Sequence, residues 1–545
     1  MHSQGQDYLR KNRGFPIMEK ELSIYERLCA LADSDMYPYH MPGHKRNPKA
    51  GLPEGFAELD ITEIEHFDNL HHAQGILKDA MEEAARLYGA DKTYFLVNGS
   101  TCGVLAAVSS VVSRGDTLIL ERNAHMSAYH AAYLRECHVV SLYPELLKEY
   151  GVYGAVGIAE TGQLLKQYPE AKAVCVTSPT YDGFVSDVEK LAALVHAHGK
   201  ILIVDEAHGA HFGFDARMPR NSIDCGADIV IHSLHKTLPS LTQTALLHIK
   251  GGRVDRERLE RFLRIYQSSS PSYLLMGSID HCIRRLQEHR REWFDSFFAN
   301  RGKLIKELST LQVLRVVYDG AGLTYDRFDP SKLMIFCDRA GMTGTQLQRV
   351  LLEDYHLQME MAGTHYVLAI LTVMDTCEGY TRLAKALKEI DAACAVRQKE
   401  SGKPAITMNG APEHSHGEDI GAPLPQEEFT AAIHSLRALA GHMPLTQAMD
   451  EKEVESVALT CAQGRIVTEF LYAYPPGISV ILPGEIMTEQ VIALIKSYRD
   501  KGLVLQGSAD ETLRTVRCVK KNEIEPKTGG NHEKDENCMH DWTGM

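Results

Sequence analysis

The chain has 545 residues, 44% hydrophobic and 24% charged, the mix of an ordinary globular protein. That excludes a wholly disordered, collagen-like or coiled-coil chain, and the length predicts two or three domains with cores that need no staples. Lys and Arg number 58 against 72 Asp and Glu, a net charge of −14, which argues against non-specific nucleic-acid binding and is compatible with attracting cationic small molecules. The start, Met1-His2-Ser3-Gln4-Gly5-Gln6-Asp7, has no apolar run behind a basic start, so no secretory signal is expected. No stretch reaches the ~18 apolar residues of a membrane span. The 12 cysteines are scattered singly without a Cys-x-x-Cys pair. Neither a zinc framework nor a disulfide scaffold is expected, and a reducing cytoplasm is the simplest location.

Residues 1–75 read as an N-terminal arm: a polar start, a helix-like stretch near 22–31, then loops rich in Pro, Gly and His. From Ile76 the pattern becomes regular, with Leu77, Ala80, Met81, Ala84, Ala85 and Tyr88 at helical spacing. Strands are predicted over 93–97, 117–121, 171–177, 201–205, 228–232 and 245–249, and helices over 104–112 and 187–198. Such alternation predicts an α/β domain with a parallel sheet covered on both faces, spanning 76–305. A C-terminal α+β region follows over 306–517. Within it, the Pro- and Gly-rich stretch 398–425 reads as a linker, and a helix is predicted near 427–439. The polar stretch 518–545 reads as a disordered tail. There is no repeat of 20–50 residues.

The strongest local signal is Ile231-His232-Ser233-Leu234-His235-Lys236-Thr237, directly after a predicted strand. A desolvated lysine there suits imine formation with an aldehyde cofactor, while hydroxyl and imidazole hold its phosphate. A solvated lysine at a strand end is the bland reading. Upstream, the apolar run Ile201-Leu202-Ile203-Val204 delivers Asp205 at a carboxyl end, where open α/β sheets place their ligands. A carboxylate there can keep a pyridinium nitrogen protonated, the electron sink of pyridoxal phosphate chemistry. The continuation Asp205-Glu206-Ala207-His208 also spells a helicase metal box, and His208 and His211 have metal-ligand spacing. The helicase reading lacks its phosphate loop, since every Gly-Lys here lacks the upstream Gly and following Ser/Thr. A metal site lacks a third ligand at motif spacing. Phe95-Leu96-Val97-Asn98-Gly99-Ser100-Thr101 reads strand, turn, then helix: a phosphate cradle or an ordinary capped helix. Arg122-Asn123-Ala124-His125 follows the next strand and places an imidazole to stack on a planar ring. Phosphate turn, stacking histidine, carboxylate and lysine thus fall at strand ends in the order one crevice-spanning cofactor requires.

On these residues the chain resembles the Orn/Lys/Arg decarboxylases of the aspartate-aminotransferase fold (fold type I), in a short form without the N-terminal flavodoxin-like wing. The resemblance is carried by His40-Met41-Pro42-Gly43-His44-Lys45, Asn98-Gly99-Ser100-Thr101, Thr177-Ser178-Pro179-Thr180-Tyr181, Asp205 to His211, Ser233-Leu234-His235-Lys236-Thr237-Leu238, Ser268 to Met276 and Tyr474-Pro475-Pro476-Gly477. It implies pyridoxal 5'-phosphate as cofactor, with Lys236 as the Schiff-base lysine, Asp205 on the ring nitrogen and His125 stacked on the ring. Gly99, Ser100, Thr101, Ser233 and His235 fall to the phosphate, and His208 is a further catalytic and cofactor-contacting candidate. Ser269 lies in the run that reaches the phosphate of a neighbouring subunit, which implies a homodimer or higher oligomer with shared active sites. The implied reaction is α-decarboxylation of arginine, lysine or ornithine, in polyamine metabolism. Glu360 is a candidate for the substrate's distal cation, and Arg465 either faces substrate or, the favoured reading, packs the small domain. No metal, nucleic acid or membrane is implied. Ala124 and Met126 stand where the family often shows Cys and Lys, and Gly363-Thr364-His365 departs from its pattern. The rival readings are an aminotransferase or aldolase of the same fold, a helicase, or a silent cofactor-binding regulator.

Overall fold

A computed structural model of the chain describes residues 22–53, 55–318, 327–401, 425–439, 443–473 and 478–520. The large sheet has seven strands: β1 (Lys92–Leu96), β2 (Thr117–Glu121), β3 (His138–Leu142), β4 (Ala173–Thr177), β5 (Ile201–Asp205), β6 (Ile229–Ser233) and β7 (Ala245–Ile249). Their spatial order is β1-β7-β6-β5-β4-β2-β3. All run one way except β7, which is antiparallel to both neighbours. Every residue of β2, β6 and β7 is buried. Helices on both faces explain why these strands read as continuous apolar runs rather than alternating ones. Because the strands are parallel, Leu96, Glu121, Thr177, Asp205 and Ser233 all end at one edge of the sheet.

The expected strands appear, shifted by one or two residues in β1, β4 and β6. The helix expected over 104–112 differs more. Helix α1 (Gly99–Val111) already starts at Gly99, so Ser100 and Thr101 sit in its first turn and not in a preceding loop. Gly99 makes this possible, because its φ of +73° turns the chain directly out of the strand. Helix α2 (Tyr273–Leu308) runs for 36 residues from the cap Ser272. It anchors the N-terminal helix Ile24–Ala32, whose first N–H, on Ile24, donates to the buried Asp280 carboxylate at 2.7 Å.

A second, antiparallel sheet holds β8 (Arg315–Val317), β9 (Lys332–Phe336), β10 (Met361–Ala362) and β11 (Tyr366–Ile370), in the order β8-β9-β11-β10. The C-terminal part packs helices Pro425–Ala438 and Glu489–Asp500 with a three-stranded sheet that includes Ile478–Ile481. Its last strand, Thr515–Val519, pairs with Val454–Ala458. One of the side chains that join this part to the large domain is wholly buried. The fully buried Arg122, just past β2, donates to Glu485 at 2.9 and 3.2 Å, to Ser479 O at 3.0 Å and to Val480 O at 3.3 Å. Most of the expected linker, the Tyr474-Pro475-Pro476-Gly477 motif and nearly all of the expected tail lie outside the described residues.

Candidate active site

A cavity of about 640 Å³ opens at the carboxyl edge of the large sheet. Gly99, Ser100, Thr101, His125, Asp205, His208, His235, Lys236 and Glu360 all line it. Each strand delivers its residue in the way the sequence pattern requires. The α1 N-terminus follows β1, His125 caps helix Met126–Leu134 after β2, Asp205 ends β5, and Lys236 sits on the short helix Leu234–Thr237 after β6.

Hydrogen bonds fix several protonation states. His125 Nδ1 accepts from the Ser127 N–H at 3.2 Å, which leaves its proton on Nε2. One Asp205 oxygen accepts from the Ala207 N–H at 3.1 Å. His235 Nδ1 lies 3.0 Å from the Thr244 carbonyl oxygen; a carbonyl only accepts, so Nδ1 carries the proton and Nε2 is left for the cavity. Burial lowers the His235 pKa, and a phosphate dianion at Nε2 would raise it again. Burial also lowers the Lys236 pKa, offset by the carboxylates of Asp205 and Glu360. A lysine held partly as free amine is a nucleophile. His208 lies between two lysines, with Nε2 3.2 Å from Lys236 Nζ and Nδ1 3.0 Å from Lys332 Nζ. Burial and those two charges hold its pKa well below the usual imidazole range.

The residues fit an aldehyde cofactor with a phosphate tail. Ser100 and Thr101 stand open at a helix N-terminus. The buried side-chain carbonyl oxygen of Asn123, which lines the cavity, has no hydrogen-bond partner, a costly state that a polar ligand relieves. The acid and the amine needed at the two ends of a pyridine aldehyde, Asp205 and Lys236, face one cavity.

Three candidates do not line this cavity. Ser233, at the end of β6, is fully buried and outside its lining. Arg465 is spent within the C-terminal part, where its guanidinium donates to Glu455 and to the Val519 carbonyl oxygen at 2.6 Å. Its candidacy as a substrate contact is therefore corrected in favour of packing. Ser269 is exposed and does not line the cavity of its own subunit. The neighbouring Ser268 N–H ties that run to Asn98 Oδ1, at the cradle's cap, at 3.1 Å. Sequence reasoning missed Lys332 and assigned no role to Tyr181 or Asn123. A lysine opening the apolar run Leu333-Met334-Ile335-Phe336 was the one available signal.

The family model described as "Orn/Lys/Arg decarboxylase, major domain" matches residues 23–319, and that for the C-terminal domain matches 435–512. The chain belongs to the Orn/Lys/Arg decarboxylase family. It is accordingly a pyridoxal-phosphate-dependent decarboxylase acting on a basic amino acid. Arginine decarboxylase of Bacillus subtilis is 30% identical over 92% of this chain and 98% of its own length. Arginine decarboxylase of Halalkalibacterium halodurans is 30% identical over 93% and 99%. Among solved structures, lysine decarboxylase A from Pseudomonas aeruginosa superposes with a TM-score of 0.74 at 20% identity, covering 91% of this chain and 80% of that one. That likeness speaks for the fold. The Orn/Lys/Arg decarboxylase matches replace the helicase reading. No helix among the described residues is long and apolar enough to cross a membrane.

Proposed function

We propose that this decarboxylase acts on L-arginine, releasing CO₂ and agmatine. The observation that carries the choice of arginine is the set of relatives named arginine decarboxylase that align along nearly the whole chain. The site chemistry agrees with a long cationic substrate. Glu360 lines the cavity opposite Lys236 and accepts a hydrogen bond from the Tyr181 hydroxyl, presenting an oriented carboxylate to a guanidinium.

When bound, pyridoxal phosphate supplies the electron sink for the pair left as CO₂ departs. The chain's residues do the rest. N–H groups of the α1 N-terminus, with Ser100, Thr101 and His235, would hold the phosphate; Ser233, also implied by the family resemblance, would reach it only by a shift of its buried side chain. Asp205 would keep a proton on the ring nitrogen, and His125 would be the residue to cover the ring face. Lys236 Nζ provides the amine for the aldehyde and, once released by substrate, returns a proton to Cα. Ile370 and Ile478 give the cavity an apolar wall, and a substrate carboxylate held against it would lose its charge more readily than in water.

The same reading extends to assembly and setting. Tyr37, Tyr39, Met41 and Phe56 are 60–90% exposed within one segment, and exposed apolar side chains of this size support a homo-oligomer. Ser269 then serves the partner's site. In this reading the protein works in the cytoplasm, and agmatine would feed polyamine formation. The test is incubation with arginine, lysine and ornithine separately, plus pyridoxal phosphate, with identification of the amine. Agmatine is expected; cadaverine or putrescine as the dominant product would reassign the substrate.

A further inference from the structure

Lys332 is the one fully buried lysine side chain in the vicinity of the cavity, and the mechanism above does not use it. It opens β9 of the second sheet, and 0% of it is exposed. Its stem lies on Gly183, where a Cβ would come within 2.7 Å of the Lys332 Cγ. The glycine, at φ +109°, leaves the space through which this side chain reaches the active site. Among the described residues, His208 Nδ1 is the one hydrogen-bond partner of its amine, at 3.0 Å, and no carboxylate lies within ion-pair distance.

The carboxylates that face it are engaged elsewhere. Asp329 accepts from His211 at 3.0 Å and from the Ser331 hydroxyl at 2.7 Å, Asp182 accepts from the Tyr366 hydroxyl at 2.6 Å, and Glu360 accepts from Tyr181. The Tyr181 ring lies 5.4 Å below the Lys332 amine and edge-on to His208, with ring centroids 4.7 Å apart. The remaining facing cation is Lys236, on the far nitrogen of the same imidazole.

This geometry restricts the protons. A neutral imidazole has one N–H donor and one acceptor nitrogen, and an ammonium cannot accept. With His208 neutral, only one of the two lysines it touches can be charged if both contacts are hydrogen bonds. We propose that Lys332 is a positioning residue: its ammonium donates to His208 Nδ1, fixes the proton of His208 on Nε2, and so presents an N–H donor that holds the Lys236 amine unprotonated. Burial pushes the Lys332 pKa down to about 8, against the pull of Asp329, Glu360 and Asp182, which leaves the amine protonated at neutral pH. Lys332 thus prepares Lys236 to capture the aldehyde without touching cofactor or substrate itself. The inference rests on the assignment of Lys236 as the imine-forming lysine.

The test is the rate at which the visible imine band appears when pyridoxal phosphate is added to apoprotein, followed against pH. That rate tracks the unprotonated fraction of Lys236. Lys332→Met should raise the midpoint by about one pH unit, which slows capture about tenfold on the acid side. Lys332→Gln, which also lacks the charge, should act in the same direction. In a His208→Phe background, the Lys332→Met change should move the midpoint less than half as far. Met matches the lysine stem in length and removes a buried charge, so the fold should survive. An unmoved midpoint in either single variant would overturn the proposal. An equal shift in both backgrounds would too, since it would reduce Lys332 to direct repulsion. Failure of both the Met and Gln variants to fold would assign Lys332 to the core and equally overturn it. Failure of the underlying assignment would look different, because borohydride would then trap no adduct on Lys236 even in the wild type.

Discussion

The two walls of the active site are built on different principles. The first is the carboxyl edge of the large sheet, where Ser100, His125, Asp205 and Lys236 follow successive strands. The second comes from the region of the antiparallel sheet, which brings Glu360 to the cavity and sets Lys332 behind His208, both more than 90 residues beyond Lys236. Strand direction alone positions the first wall, since parallel strands bring their ends to one edge. The second wall depends on how two sheets pack. It follows that cofactor handling is a local property of the large domain, while the electrostatic state of the lysine and the fit to substrate depend on the contact between domains.

Several changes separate these contributions. The largest effect is expected where the parts are joined. Arg122→Ala leaves the partly buried Glu485 and two carbonyls without their cation, which should cost about 3–5 kcal/mol. Denaturant unfolding would read it, and an unchanged midpoint would mean that the C-terminal part docks by other contacts. Within the first wall, Asp205→Ala removes the charge at the ring nitrogen and should lower turnover by about 10²–10³, with weaker cofactor retention. Near-normal turnover would mean that another group protonates the ring. Within the second wall, Glu360→Gln should raise KM for arginine by about tenfold, the loss of one charge-assisted hydrogen bond, while the absorbance of bound cofactor stays unchanged. A fall in kcat with KM intact would move Glu360 from substrate binding to chemistry.

A further effect, read through pH, concerns Glu121, at the end of β2. Burial raises its pKa from 4.5 to about 8, and one oxygen accepts from the Thr177 N–H. The folded protein therefore keeps a proton there that the unfolded chain releases near pH 4.5. The associated stability is fully present below about pH 4.5 and is lost as pH rises through about 8. Glu121→Gln should flatten that decline, read as a smaller Tm difference between pH 5 and pH 8. An unaltered slope would mean that Glu121 is ionised in the fold.

The sequence made the first wall legible because its signals are local: an apolar run, then a polar residue at the strand end. Four side chains predicted from such runs, His125, Asp205, His235 and Lys236, line one cavity. The start of α1 was misplaced because the Gly-Ser-Thr run reads as loop, and the positive φ that converts it to helix has no periodicity. Arg465 was ambiguous because its partners, Glu455 and Val519, come together only through the pairing of distant strands. Lys332 was invisible for a related reason. A lysine before an apolar strand ordinarily reads as a solvated flank, and only the space left at Gly183 shows that it points inward.

The central claim concerns one amine. Borohydride reduction of the protein loaded with pyridoxal phosphate, followed by proteolysis and mass spectrometry, should place a single pyridoxyl group on the peptide containing Lys236 and none after Lys236→Ala. A pyridoxyl group on Lys332 or any other side chain, or no stable adduct at all, would contradict the account.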